Sequence, residues 1–337
     1  MLQRTLIIIV SLIFVISCKP NSQNSNDLES DEKTTPDFQI SLAQWSLHRS
    51  FFGPKKDNYW KWYHKMLLES PDSLIQGELD PMDFPTIAAT YGVKSIELAN
   101  IFYFGKAEDE AYWVSFKQKC EEADVTVGLI MCDALGNLAD ADAVTRMTAV
   151  ENHYKWVDVA KFLGAHSIRV NAAGDGSRED VAINAIDGLT KLGKYGASNG
   201  INIIVENHGG YSSDGSWLAG VMKEVDMENV GTLPDFGNFC IEGSPKDCTK
   251  AYDRYQGITD LMPFAKGVSA KSLEFDEQGN EINSDFDSIM RIVKNSGYKG
   301  YIGIEYEGDQ LSEDKGIKAT KLLLEKVIKK LEESSDG

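Results

Sequence analysis

Residues 199–208 read Asn-Gly-Ile-Asn-Ile-Ile-Val-Glu-Asn-His, and they hold the repeating unit of the chain in miniature. A helix-like stretch stops at Asn199-Gly200, an apolar strand runs Asn202–Val205, and the strand ends in Glu206-Asn207-His208. Glycine suits the stop because a left-handed residue costs it little. The same rhythm recurs from residue 38 onward. Strands are expected at Gln39–Trp45, Val93–Leu98, Thr126–Met131, Ser167–Val170, Asn202–Val205, Gly231–Leu233, Gly267–Ala270 and Tyr301–Ile304. Most are nearly continuous in apolar character, as strands of a parallel sheet read when both faces are covered. Amphipathic helices are expected between them. Ala143–Leu163 shows a stripe of Val150, Tyr154, Val157, Ala160 and Phe162. Residues 178–198 follow with Val181, Ile183, Ile186, Leu189 and Leu192, and Leu311–Leu331 with Ile317, Leu322, Leu323 and Val327.

Eight strand-then-helix units point to an α/β protein, a single (β/α)8 barrel. The competing architecture is an open doubly wound sheet. That fold usually carries a Gly-rich phosphate turn after its first strand, and neither GxGxxG nor GxxxxGK[ST] occurs here. Residues 48–81, with Trp60, Trp62, Tyr63 and Pro71, are too long for a simple strand–helix loop. They read as an insertion over the barrel mouth after the first strand.

The chain has 337 residues, 42% hydrophobic and 26% charged, which excludes both disorder throughout and a polytopic membrane protein. Asp and Glu outnumber Lys and Arg 52 to 34, for a net charge of −18. Such a surface repels phosphate backbones and no Lys/Arg cluster offsets it, so nucleic acid is not an expected partner. At the N-terminus Arg4 precedes the apolar run Leu6–Ile16, followed by Ser17-Cys18. This resembles the lipobox of bacterial lipoproteins: residues 1–17 form a signal peptide and Cys18 becomes the lipidated first residue. An ordinary signal peptide or a short anchor are the alternatives. Residues 18–36 are polar without periodicity and read as a flexible tether, leaving 37–337 as the barrel. The expected location is the cell envelope, with membrane contact only through the lipid. Of the other cysteines, Cys120, Cys132, Cys240 and Cys248, none has CxxC spacing, and small buried thiols are the expected state. Cys240 and Cys248 close a short loop and are the better placed pair for a disulfide.

In such barrels the reactive groups gather at the C-terminal ends of the strands. Here those ends carry Gln44 and Trp45, Glu97 and Asn100, Asp133, Arg169 and Asn171, Glu206 to His208, Asp235 and Asn238, Lys271, and Glu305. Each alone could be a cap or a loop charge; together they describe a polar pocket. Glu206, Asp235 and Glu305 are the most informative. Three close carboxylates cannot all stay ionised without a cation, so either a divalent metal binds or one pKa rises strongly. Mn²⁺, Zn²⁺ or Mg²⁺ would suit such oxygen-rich ligation and could polarise a sugar carbonyl. Trp45 could stack on a sugar face, Arg169 and Asn171 could bind a hydroxyl or an anionic group, and His208 leads into Gly209-Gly210, where backbone can approach a ligand. A salt bridge to Glu206 is the competing account of Arg169. No GxSxG elbow supports serine-hydrolase chemistry. The acids permit a glycosidase, though their spacing cannot be read from sequence.

Ile203-Ile204-Val205-Glu206-Asn207-His208-Gly209-Gly210, Pro234-Asp235-Phe236-Gly237-Asn238 and Gly303-Ile304-Glu305 resemble the xylose isomerase-like barrels. Ile40–Leu47, Val93–Leu98 and Lys271 fit the same register. That superfamily holds sugar isomerases, tagatose-epimerase-type enzymes, inosose dehydratases and apurinic endonucleases. The resemblance implies that Glu206 and Glu305 are metal ligands and the acid/base pair, with Asp235 as third ligand. It departs from the family where Val268-Ser269-Ala270-Lys271 replaces a histidine-containing V-H-V-K stretch, and where Asn238 stands for a second histidine. Three outcomes follow: a weaker metal site completed by water, a site recruiting His208, or a metal-free site partly neutralised by Lys271. The expected substrate-binding set is His208, Asn238, Arg169, Asn171, Trp45, Glu97 and Ser269. The expected partner is a small-molecule carbohydrate, which an enzyme isomerises or epimerises through an enediolate. Elimination or hydration on a 3-keto-glycoside, or non-catalytic carbohydrate binding, are the alternatives.

Overall fold

The structure, a computed structural model, describes residues 37–54, 59–244 and 246–333. The expected signal peptide, Cys18, the tether and the side chain of Trp60 lie outside the described residues. Eight parallel strands form the barrel wall: β1 (Phe38–Ala43), β2 (Ser95–Ala99), β3 (Thr126–Met131), β4 (Ser167–Val170), β5 (Asn202–Glu206), β6 (Val230–Leu233), β9 (Val268–Ser272) and β10 (Gly300–Tyr306). Their order is β6-β5-β4-β3-β2-β1-β10-β9. The sheet nearly closes, because β6 and β9 meet through two isolated bridges, Thr232 with Ala265 and Asp235 with Ser269. At this seam the Ser269 N–H donates to Pro234 O (2.9 Å) and the Phe236 N–H to Ser269 O (3.0 Å). The seam therefore lays Asp235 directly beside Ser269.

Helices α1 (His48–Phe52), α2 (Tyr59–Glu69), α3 (Phe84–Thr90), α4 (Glu110–Ala123), α5 (Ala143–Leu163), α6 (Arg178–Asn199), α7 (Gly215–Val225), α8 (Arg254–Leu261), α9 (Phe286–Asn295) and α10 (Glu313–Glu333) accompany the strands. Side chains of Asp109, Asp142, Ser177, Asp214, Asp253 and Asp285 accept the free N–H groups that open α4, α5, α6, α7, α8 and α9. Gly164 and Gly200 close α5 and α6 with φ of 79° and 73°. Ile203, Ile204, Val205, Ile302 and Ile304 are fully buried, which accounts for their unbroken apolar run.

Three expectations are corrected. Phe162, Ile183 and Leu322 are 43, 64 and 68% exposed. At one hundred degrees per residue each points away from the stripe of its own helix, so these residues face solvent. The first strand ends at Ala43, and Trp45 belongs to a 3-10 turn, Gln44–Leu47. Between β6 and α8 a two-stranded hairpin intervenes, β7 (Cys240–Ser244) with β8 (Asp247–Ala251), and Cys240 and Cys248 form a disulfide across it. Buried thiols are the state of Cys120 and Cys132 only. The antiparallel register brings the Cys240 and Cys248 Cα atoms to 5.7 Å on an exposed hairpin, where a small thiol has no core to enter.

The stretch after β1 carries α1 and α2 and packs against the 3-10 segment Asn100–Lys106 that follows β2. Phe51 and Phe52 lie 4.8 and 5.0 Å from the Phe102 ring, and Lys106 pairs with Asp72 at 2.8 Å. It occupies the β1–β2 side of the rim.

Candidate active site

Glu206 ends β5, Asp235 follows β6, and Glu305 lies near the end of β10. All three are buried, and one carboxylate oxygen from each lies within 4.8 Å of the others. Ser269, fully buried in β9, touches two of them: its Oγ is 2.7 Å from Asp235 Oδ2 and 2.7 Å from Glu305 Oε2. One hydroxyl carries one proton and can donate to only one carboxylate. The other contact is satisfied only by a proton on that carboxyl or by a cation between the oxygens. The second Asp235 oxygen accepts the N–H groups of Gly237 (2.8 Å) and Asn238 (2.9 Å).

Two fixed cations border the cluster. Arg169 Nε faces Glu206 Oε2 at 2.8 Å, yet off the hydrogen-bonding direction, so neither atom has a hydrogen-bond partner. Arg169 thus meets Glu206 as a charge, which agrees with the salt-bridge account of this residue. Its Nη1 donates to Asp133 Oδ1 at 2.8 Å, and Asn171 Nδ2 donates to the same oxygen at 2.7 Å. Lys271 Nζ is 3.0 Å from Glu307 Oε1, 3.2 Å from Asn238 Oδ1 and 4.0 Å from Asp235 Oδ2. Asn238 in turn donates from Nδ2 to Glu206 Oε1 at 2.9 Å. Gly237 makes room for this arrangement, since a Cβ there would meet the Lys271 stem at 2.9 Å.

The protonation balance follows from burial and neighbours. Burial raises the Asp235 pKa and lifts that of Glu305 well above the carboxylate range; Lys271 opposes both shifts and the neighbouring acids add to them. Burial works against the Lys271 charge, but Asp235, Glu305, Glu307 and Glu206 outweigh it and keep the ammonium protonated. Asp133 is held down at about 2: burial opposes its charge, and Arg169 followed by His208 overcomes that. Glu307 is likewise lowered despite burial, chiefly by Lys271.

The expected residues fall into separate places. Glu206, Asp235, Glu305, Ser269, Asn238, Lys271 and Arg169 come together in one buried network. Asn171 joins it through Asp133, while His208 stands exposed at the rim. Trp45 is half-buried and stacks on His48 with ring centroids 5.2 Å apart. Glu97 was expected at the rim, and the structure corrects this. It is enclosed inside the barrel, accepts a 2.5 Å hydrogen bond from Ser41 Oγ, and lies against Gly303, where a Cβ would meet its carboxylate at 2.4 Å. Its Oε2 has no partner, and burial raises its pKa to about 7. Gln44 and Asn100 serve the backbone, accepting from Ala99 N (3.1 Å) and Asp133 N (2.9 Å). Glu307 is absent from the expected set; it is two residues after Glu305, and the strand period of two is the signal that points to it. Asn207 stands within the expected Glu206 to His208 group, but the sequence assigns it no role.

The donor set suits a hard divalent cation. Three carboxylate oxygens converge, the Ser269 contact is half satisfied, and Glu206 Oε2 lacks a donor. A model of xylose isomerase-like TIM barrels matches residues 85–327. The chain belongs to the xylose isomerase-like TIM barrel family. This family member is 28% identical over 140 residues to an inosose dehydratase of Clostridium botulinum (strain Alaska E43 / Type E3), covering 36% of this chain and 46% of the relative. It thus spans about half the length of that curated relative. Among solved structures, the 3-keto-D-glucoside 4-epimerase from E. coli superposes with a TM-score of 0.59 at 13% identity, over 87% of this chain and 100% of that one. A xylose isomerase-like TIM barrel protein from Mycobacterium smegmatis in complex with magnesium gives 0.59 at 15%, over 88% and 98%. At these identities the likeness shows the fold. The xylose isomerase-like barrel is here in the company of sugar isomerases and epimerases, with a dehydratase as a distant relative.

Proposed function

We propose that this xylose isomerase-like barrel isomerises or epimerises a small carbohydrate by moving a proton at the carbon next to a carbonyl. The observation that carries this reading is the pair of buried glutamates, Glu206 and Glu305, brought with Asp235 to within 4.8 Å from three different strands. One glutamate takes the proton and the other returns it, passing through an enediolate. Glu206 is held in place by Asn238 and Arg169, whereas the raised pKa of Glu305 suits it to carry and return a proton. The Lys271 ammonium is placed to stabilise negative charge developing on the substrate oxygen. Asp133, Asn171, His208 and Trp45 line the approach and bind the sugar's hydroxyls and apolar face. A divalent cation held by Glu206, Asp235 and Glu305 would supply Lewis-acid polarisation of the carbonyl.

A second reading is favoured by the inosose dehydratase similarity: elimination next to a carbonyl. Removal of the same proton by the same glutamate then expels a leaving group instead of returning the proton. Deuterium uptake distinguishes the outcomes. Free ketoses, 3-keto-glucosides and inososes are incubated in D₂O with the wild type, Glu206→Gln and Glu305→Gln. Exchange without loss of water or glycoside indicates isomerisation, and an unsaturated product indicates elimination. Each substitution is expected to lower turnover at least ~100-fold. If both variants kept wild-type turnover, the assignment would be wrong, and an inert wild type would favour a carbohydrate-binding role.

We also infer that the chain is exported and lipid-attached through Cys18. The Cys240–Cys248 disulfide supports an oxidising compartment. Such a location argues against a phosphorylated substrate and for a free, oxidised or glycosidic sugar. Mass spectrometry of the mature N-terminus tests this, a diacylated Cys18 being the expected result.

A further inference from the structure

The turn after β6 presents two site residues at once, Asp235 and Asn238, and the side chain of Asn207 grips that turn from β5. Asn207 is fully buried. Its Oδ1 accepts the Asp235 N–H at 2.7 Å, while its Nδ2 donates to Asp235 O at 3.0 Å and to Asn238 O at 3.1 Å. Every polar atom of the carboxamide is thus spent on this turn. Ser213 Oγ supplies a second donor to Asn238 O at 2.8 Å. Neither Asn207 nor Ser213 touches the carboxylate cluster, yet what they hold does: Asn238 reaches Glu206 and Lys271, and Asp235 faces Ser269.

The turn lies where the barrel wall has only isolated bridges between β6 and β9, so the regular ladder that fixes the other strand ends is missing there. From this geometry we propose that Asn207 is the positioning residue of the site. It ties the turn to β5, on the side opposite that open seam, and sets the distance between Asp235 and Glu206. Because Asn207 follows Glu206 directly, one residue pair supplies both a ligand of the cluster and the clamp on its neighbour. Shortening the clamp lets the turn relax away from β5. The oxygens of Asp235 and Glu206 then no longer converge, although every carboxylate remains. This inference rests on the metal-assisted reading of the site. Groups that orient metal ligands typically contribute roughly 10- to 100-fold to metal affinity.

Asn229 provides a matched control. It is also a loop asparagine beside β6, donating from Nδ2 to Gly193 O at 2.8 Å and Ile201 O at 3.3 Å, but it lies before the strand, away from the carboxylates. Mn²⁺ binding to the full chain in detergent is measured by electron paramagnetic resonance for the wild type, Asn207→Ala, Asn207→Ser, Asn229→Ala and Asp235→Ala, with the melting temperature of each metal-free protein beside it. The expected result is Mn²⁺ affinity at least ~10-fold weaker in both Asn207 variants. Asn229→Ala is expected to lose melting temperature but keep wild-type affinity. Wild-type affinity in folded Asn207→Ala and Asn207→Ser, or equal losses of affinity in Asn207→Ala and Asn229→Ala, would overturn the positioning role. If Asn207→Ala does not fold, the milder Asn207→Ser decides. A wild type that binds no Mn²⁺ overturns the metal reading itself and the positioning role with it, an outcome distinct from unchanged variants.

Discussion

Glu97 shows how one residue can be visible in the sequence and still be misplaced. A glutamate inside an apolar strand stands out, and the rim is the natural place for a charge. Here the barrel provides a neutral niche instead, with Ser41 donating to one oxygen and the bare Cα of Gly303 leaving space for the carboxyl. Burial raises its pKa from the usual 4.5 to about 7. A raised carboxyl binds its proton more tightly in the folded state, so its contribution is complete below pH 4.5 and is lost as pH climbs through 7. Those two values correspond to a loss of up to about 3 kcal/mol. Glu97→Gln keeps the acceptor for Ser41 and removes the titration. Urea denaturation should find the variant no more stable than the wild type at pH 4 and more stable by up to about 3 kcal/mol at pH 8. Parallel stability curves for the two proteins would show that folding does not raise the Glu97 pKa. By contrast, Glu206, Asp235 and Glu305 were legible because each follows an apolar run at a strand end. Asn207 stood in the same strand-end group, but its role was not legible, because it depends on the Asp235–Asn238 turn coming back beside it.

At the scale of elements, the parallel strands and the long helices were legible for a common reason. Strands covered on both faces must be apolar throughout, and α5 begins and ends where Asp142 and Gly164 stand. The β7–β8 hairpin has no such signature, since its strands are mostly exposed and bury nothing that would impose a pattern. Its disulfide therefore takes the place of a core. Closing so short a loop restricts the unfolded chain by about 2–3 kcal/mol. Because the hairpin packs little into the barrel, that contribution is local opening rather than global stability. Replacing Cys240 and Cys248 together with serine should leave the barrel's melting temperature within about 3 °C of wild type. It should also raise the rate of tryptic cleavage at Lys246 or Lys250 at least ~10-fold. A large drop in melting temperature without hairpin cleavage would mean that the hairpin is part of the barrel's cooperative unit.

For the whole molecule, the excess of negative charge continues into the interior. Among the described residues, Glu206, Asp235, Glu305, Glu307 and Asp133 surround the two fixed cations Arg169 and Lys271. Five carboxylates against two cations leave an anionic centre that costs stability unless protons or a metal relieve it. A cation held by Glu206, Asp235 and Glu305, as proposed, would bind the folded form far better than the unfolded form, where the three ligands are apart. Linkage then gives the size of the effect: at one hundred times its dissociation constant, a ligand specific to the folded state stabilises by about 2.7 kcal/mol. In a chain of this length that corresponds to a rise in melting temperature of about 4 °C. Mn²⁺, Mg²⁺ and Zn²⁺ should each be titrated, with EDTA reversing the shift and equal ionic strength of NaCl failing to reproduce it. Asp235→Ala should remove the response while leaving Arg169 on Glu206. If no divalent ion shifts the wild type, the charge is balanced by protons on Asp235 and Glu305 together with Lys271. Proton transfer would then have to proceed with the Lys271 ammonium as the electrophile, in line with the weak oxygen donor that Ser269 offers between Asp235 and Glu305.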